Sequence, residues 1–194
     1  MFRKFITIFL LFTLTIAAVT YLLPSKYQFS KRIETLYDSQ LVSDYIHDLN
    51  NWQQWAPWVY DGEFPTENSF EGTPGTVNHR WDWRSETKGT GSAIITALDS
   101  AEGALQLEVF YASPVALRST YTIQVEPLGS GSAVVLKSEG HLSYPLGRLF
   151  GFFLQHALDK EMGGAMGLLK KNLDERESKE GELTRKDEET FVEY

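Results

Sequence analysis

The five tryptophans fall in two groups. Trp52, Trp55 and Trp58 lie within seven residues beside Pro57. Trp81 and Trp83 alternate along one face of a strand-like stretch. Indole rings give a ligand pocket flat apolar walls and N–H groups that orient what is bound. The other use of Trp52 and Trp55 is to plug one end of a core. Acid–base chemistry needs only one well-placed group in a shaped cavity. The candidates for it are Arg80, Asp82, Glu108, Tyr111, Arg118, Tyr121 and His141. Strand alternation sets Arg80 and Asp82 opposite Trp81, so only one of these two sets faces a cavity. The four histidines have no metal-ligand spacing. His79 and His141 are placed to meet in a cavity as hydrogen-bonding groups, but a metal needs a third ligand. No metal and no cofactor are therefore expected. The chain has no G-x-S-x-G elbow, no H-E-x-x-H and no phosphate loop. An enzyme is the less favoured reading.

These side chains must be held by elements whose periods are legible. Lys26 to Leu36 reads as a strand with Tyr27, Phe29 and Ile33 on one face. Ser39 suits an N-cap, and Leu41, Val42, Tyr45, Ile46 and Leu49 follow at helical spacing until Asn50-Asn51 breaks the run. Residues 61–76 are rich in Gly, Pro and acidic residues and read as loops around a short strand near Phe70. Strand patterns then repeat at Val77–Trp83, Gly91–Leu98, Leu105–Tyr111, Arg118–Glu126 and Ala133–Ser143, with short polar links: an antiparallel meander. After Pro145 the period changes to 3.6, and the apolar positions from Leu146 to Leu173 trace one long amphipathic helix ending near Asp174. Its only available cover is the concave face of the meander. The gap between such a sheet and helix holds apolar ligands when side chains do not fill it. Gly163, Gly164 and Gly167 interrupt this helix. They serve either to leave space for a ligand or its gate, or to let helix and sheet approach closely.

Composition bounds the rest. A chain of 194 residues with 42% hydrophobic and 23% charged residues is one domain with appendages, not a disordered or polytopic protein. With no cysteine, disulfides and thiolate chemistry are excluded. The net charge of −8 argues against a nucleic-acid partner. Nine acidic and four basic residues from Asp174 to Tyr194 supply most of it. Phe5 to Leu23 is uncharged and, as a helix, spans roughly 28 Å, about the hydrocarbon thickness of a bilayer. Arg3 and Lys4 before it favour a cytoplasmic N-terminus. The expectation is a single-pass anchor in the inner (cytoplasmic) membrane, with the domain facing the periplasm or cell exterior. A cleaved signal peptide is the rival, although the run is long and no clean A-x-A site follows it. The chain thus divides into an anchor (1–25), a folded domain (26–175) and a charged, disordered tail (176–194).

Several segments, in order, resemble one family. N-W-Q-Q-W-A-P-W (Asn51–Trp58) is similar to the N-W-x-x-W-S-P-W signature of the polyketide cyclase/dehydrase and lipid-transport superfamily, also called START-like or SRPBCC. The strand FSKRIET precedes it, and the G-x-x-G-x-x-x-x-x-W stretch of Gly72–Trp81, Gly89-Thr90-Gly91, EPLGSGSAVV and the ending GLLKKNLDE come after it, all in the family's order. Ala133 stands where threonine is common. The resemblance implies an α+β helix-grip fold: a curved antiparallel sheet of six to seven strands wrapped around a long C-terminal helix, here after one N-terminal transmembrane helix. It implies a cavity, but no single activity. The expected partner is a hydrophobic small molecule or lipid, bound by Trp55, Trp58, His79, Trp81 and Trp83. Tyr111, Tyr121 and His141 complete the expected set, with Phe150 and Phe153 from the last helix. A cyclase/dehydrase-type enzyme and a ligand-free envelope interaction or stress-response module are the alternatives.

Overall fold

The computed structural model describes residues 2–56, 67–87, 89–99, 102–112 and 116–192. Helix α1 (Phe2–Leu22) leads into strand β1 (Lys26–Thr35). Helix α2 (Ser39–His47) and a 3₁₀ turn (Leu49–Gln54) follow. Six further strands come next: β2 (Glu67–Glu71), β3 (Arg80–Ser85), β4 (Gly89–Asp99), β5 (Ala104–Tyr111), β6 (Leu117–Leu128) and β7 (Gly131–His141). Helix α3 (Leu146–Val192) ends the chain. All seven strands form one antiparallel sheet in the order β1-β7-β6-β5-β4-β3-β2. The expected helix-grip fold is therefore the observed one.

Alternation decides which face is enclosed. On β5, Leu105, Leu107 and Val109 are buried while Gln106, Glu108 and Phe110 are exposed. On β6, Ser119, Tyr121, Ile123 and Val125 are buried. These residues pack with the α3 stripe Leu158, Met162, Ala165, Met166, Leu169 and Leu173. On the outer face Arg80 pairs with Asp82 at 2.6 Å and Arg118 lies 3.8 Å from Glu108. Those four acid–base candidates thus occupy the solvated side of the sheet.

Local chemistry corrects several expected boundaries. The N-cap of α2 is Asp38, not Ser39: its carboxylate accepts from the Gln40 and Leu41 N–H groups at 2.8 and 3.4 Å. Asp48 caps the 3₁₀ turn in the same way, and Asn50-Asn51 lies inside that turn. His47, at the end of α2, is half-buried. Helix α3 continues past Asp174 to Val192. Lys170–Asp174 and Lys171–Glu175 pairs, four residues apart, support it where the apolar stripe ends. The residues beyond are rich in Glu, Lys and Arg, good helix formers without any apolar period.

The α3 glycines are not points of close approach. A Cβ at Gly164 or Gly167 would meet nothing within 4 Å, and one at Gly163 would meet only the end of Lys31. Gly164→Ala and Gly167→Ala should therefore each stabilise the fold by about 1 kcal/mol through helix propensity. Urea unfolding midpoints read this directly. A lowered midpoint would contradict the open surroundings.

Candidate functional site

The concave face carries an aromatic wall with polar groups set into it. Trp81 stacks on Phe70, with ring centroids 5.9 Å apart and planes 11° from parallel. Trp83 tilts against Trp81 at 5.2 Å and meets Tyr111 edge-on at 5.9 Å. The Trp81 indole N–H donates to Asn68 Oδ1 at 2.9 Å, and Asn68 Nδ2 donates to Gln53 Oε1 at 3.0 Å. This polar string ties β3 and β2 to the 3₁₀ turn.

Gly91 makes the wall possible. It lies opposite Trp83 across β3 and β4, and any Cβ there would press on the Trp83 ring. Gly140 plays the same part further along. A Cβ there would strike the Tyr27 ring, which crosses β7 to bring its hydroxyl to Ser119 Oγ. A missing side chain on one strand thus seats an aromatic ring from its neighbour.

A second cluster sits near the start of β1. Tyr111 Oη and Tyr121 Oη are 3.4 Å apart. Tyr121 faces Ser138 across β6 and β7. Burial raises both phenols above the ordinary tyrosine value, Tyr111 most strongly; Tyr27 and Glu161 on α3 push the same way. Both therefore stay protonated at neutral pH and act as hydrogen-bond donors, not as bases. Sequence reasoning found Tyr111 and Tyr121 but missed Ser119 and Ser138. The signal was available: both serines occupy inward positions that alternate with Tyr121, Ile123 and Val125 on β6 and with Val134 and Leu136 on β7.

Buried polar atoms mark the remainder. Among the described residues, Trp55 Nε1 and both ring nitrogens of His79 have no hydrogen-bond partner. Such groups are costly unless something binds them. Trp52, by contrast, is a structural plug: it is fully buried, its N–H donates to the Ile46 carbonyl at 2.7 Å, and its ring lies 4.5 Å from that of Trp55.

The expected site residues separate accordingly. Trp55, His79, Trp81, Trp83 and Tyr121 are buried, and Tyr111 is half-buried on the same wall. His141 does not converge with His79: it stands exposed at the end of β7, opposite Lys26, one residue out of phase with inward Ser138 and Gly140. Phe153 is 69% exposed on the first turns of α3. Trp58 lies outside the described residues, as does the side chain of Phe150. Among the described residues no group of three His, Asp or Glu side chains is placed to hold a metal.

His79 carries a pH prediction. Burial lowers its pKa below the ordinary 6.5, partly offset by Asp48. The unfolded chain then binds a proton more readily than the folded one, so stability is full above 6.5 and falls as pH drops below it. His47 shifts in the same direction, again through burial. Thermal unfolding between pH 7.5 and pH 5.5 should show a lowered midpoint in acid. His79→Asn should reduce that drop without abolishing it, because His47 supplies the remainder. An unchanged drop would remove His79 from the account.

Comparison with known proteins agrees with this architecture. No curated protein matches the chain by sequence. The crystal structure of Ara h 8.0201 superposes with a TM-score of 0.55 at 12% identity, covering 76% of this chain and 97% of that one. Norcoclaurine synthase from Thalictrum flavum, in complex with dopamine and hydroxybenzaldehyde, gives a TM-score of 0.59 at 12% identity, covering 81% and 91%. A protein of unknown function from Staphylococcus aureus gives 0.59 at 9% identity, covering 79% and 98%. At these identities the likeness is one of fold. The profile of the family described as polyketide cyclase / dehydrase and lipid transport matches residues 29–174. With its sheet, its enclosing helix and three-quarters of its length matched, the chain belongs to the polyketide cyclase/dehydrase and lipid-transport family.

Proposed function

We propose that the chain binds a lipid-like or isoprenoid molecule between the concave sheet face and α3, and that α1 holds this binding unit (26–175) at a membrane. The observation that carries the reading is a hydrogen-bonding pole set in an aromatic wall. Tyr111 and Tyr121 offer protonated phenols at one end, Trp81 and Trp83 form the adjoining apolar surface, and His79 has buried ring nitrogens without a partner among the described residues. That pairing suits an amphiphile with one polar end. The driving force would be apolar surface removed from water, about 25 cal/mol per Å² before ordering costs. Helix α1 is the one described helix long and apolar enough to cross a bilayer, a property that signal sequences share. Retained, it would keep the binding unit where lipidic ligands are concentrated.

The test is native mass spectrometry of the full chain purified from its host's membranes, followed by organic extraction. One bound lipid or quinone per chain is the expected result. A protein that is repeatedly empty, and takes up no apolar fluorophore, would sink the reading.

A cyclase-type enzyme is the second reading, favoured by the same phenols. A buried Tyr that stays protonated donates well to a developing oxyanion. Tyr121→Phe separates the two readings. A carrier keeps its ligand with affinity reduced about tenfold, the equivalent of one hydrogen bond. An enzyme keeps the ligand and loses turnover.

A further inference from the structure

We propose that the segment from Ser143 to Phe153, the turn before α3 and its first two turns, is a second membrane contact that lies in the bilayer interface beside α1. The proposal rests on the reading of α1 as a retained anchor. Its basis is where α3 touches α1. The Tyr144 hydroxyl donates to the Ala17 carbonyl at 3.2 Å, and Arg148 Nη1 donates to the Tyr21 carbonyl at 3.0 Å. Thr20, between them, is fully buried on a helix that is otherwise almost entirely exposed. These bonds reach below the end of the helix. Ala17 lies about 7.5 Å beneath Leu22 along the axis. A bilayer that covers α1 as far as Leu22 therefore also covers the start of α3.

The side chains there suit that depth. Leu146 is 64% exposed, Phe153 69% and Tyr144 50%, although all three are large and apolar or amphipathic. The Arg148 guanidinium sits 5.7 Å above the Tyr144 ring. An aromatic–arginine pair flanked by exposed Leu and Phe is the composition of an interfacial segment: apolar groups enter the acyl boundary while the cation stays at phosphate level. The next contact along the chain points the same way. The Leu142 N–H donates to the Ser25 carbonyl at 2.9 Å, so the exit of β7 and the entry to β1 are fastened at one level. Tyr27, Ser119 and Gly140 gather at that same end of the sheet. The tyrosine pole of the grip would thus face the membrane, and Thr35, bonded to Asp174, would lie at the far end.

The chain has no cysteine, so single-cysteine labels report depth without background. The full chain would carry an environment-sensitive fluorophore at one of four exposed positions: Leu11→Cys, Ser130→Cys, Leu146→Cys or Phe153→Cys. Each variant would be reconstituted into phosphatidylcholine/phosphatidylglycerol vesicles, with and without nitroxide lipid. The expected result is at least about twofold quenching at 146 and 153 by a headgroup-level nitroxide, quenching at 11 by a deep one, and none at 130. Quenching at 11 with 146 and 153 in water would overturn the proposal and leave the anchor reading intact. Absence of quenching at 11 would overturn both. Quenching at 130 together with 146 and 153 would mean non-specific adsorption, and would also overturn the proposal. Circular dichroism of each variant establishes that its fold is retained.

Discussion

Trp81→Ala should cost about 3–5 kcal/mol of folding stability, the range for deleting a fully buried aromatic. Small domains are stable by roughly 5–15 kcal/mol, so this one change would leave the protein marginal. The reasons are separable. The ring fills the space between Phe70 and Trp83, and its N–H holds Asn68, which in turn holds Gln53. Trp81→Phe keeps an aromatic surface against Phe70 and loses the hydrogen bond with part of the volume. It should cost about 1–2 kcal/mol. Guanidinium unfolding of both variants gives the comparison. A loss below 1 kcal/mol for alanine would mean that β2 and β3 are not held by this ring. If the wall also binds ligand, Trp81→Phe should weaken uptake of an apolar fluorophore while the fold survives.

Gly91→Ala should be nearly as damaging, at about 3 kcal/mol, although it adds one methyl group. Its Cβ would sit 2.8 Å from Trp83 Cε2 and 2.5 Å from the Phe110 carbonyl oxygen. The indole is held between Trp81 and Tyr111, and the carbonyl belongs to the backbone of a paired strand and cannot swing away. Gly129→Ala is the control: a Cβ there meets nothing within 4 Å, so its effect should be within about 0.5 kcal/mol. A second substitution, Trp83→Leu, should relieve only part of the Gly91→Ala penalty, because the clash with Phe110 remains. Full rescue would show that the ring alone was the obstacle. Urea midpoints for Gly91→Ala, Gly129→Ala, Trp83→Leu and the Gly91→Ala/Trp83→Leu double variant decide the matter.

These two residues also mark how far the sequence could be read. Trp81 and Trp83 were visible because strand alternation sorts residues into two faces without knowledge of partners. The seven strands and the long helix were legible for the same reason, through a change of period at Pro145. Gly91 was visible only as the first residue of a strand. Its contact is with the ring opposite it on the neighbouring strand, and pairing register is not a local property. The Tyr27–Ser119 contact spans 92 residues, and each partner alone reads as an ordinary strand residue. His141 was misjudged by one step in phase: near the end of β7 the alternation passes through Gly140, which carries no side chain to reveal its face. Asp38 and Ser39 are both good caps, so only backbone geometry separates them. The helical course of α3 beyond Asp174 rests on intrinsic preference and has no apolar rhythm.

The pairing of β1 with β7 has a consequence in time. Lys26 lies opposite His141 and Thr35 opposite Ser132, so the first strand of the sheet bonds to the last. About a hundred residues separate them, and at typical rates of synthesis β1 must wait on the order of 5–20 s for its partner to be made. Until then its backbone groups lack their β7 partner, and an unpaired strand sequence is a template for pairing with another chain. Its sequence, KYQFSKRIET, places Lys26, Lys31 and Arg32 among the apolar residues. Charges so placed discourage wrong pairing while leaving the final register available. The same three cations that look like ordinary surface residues in the finished sheet therefore guard the strand during the wait.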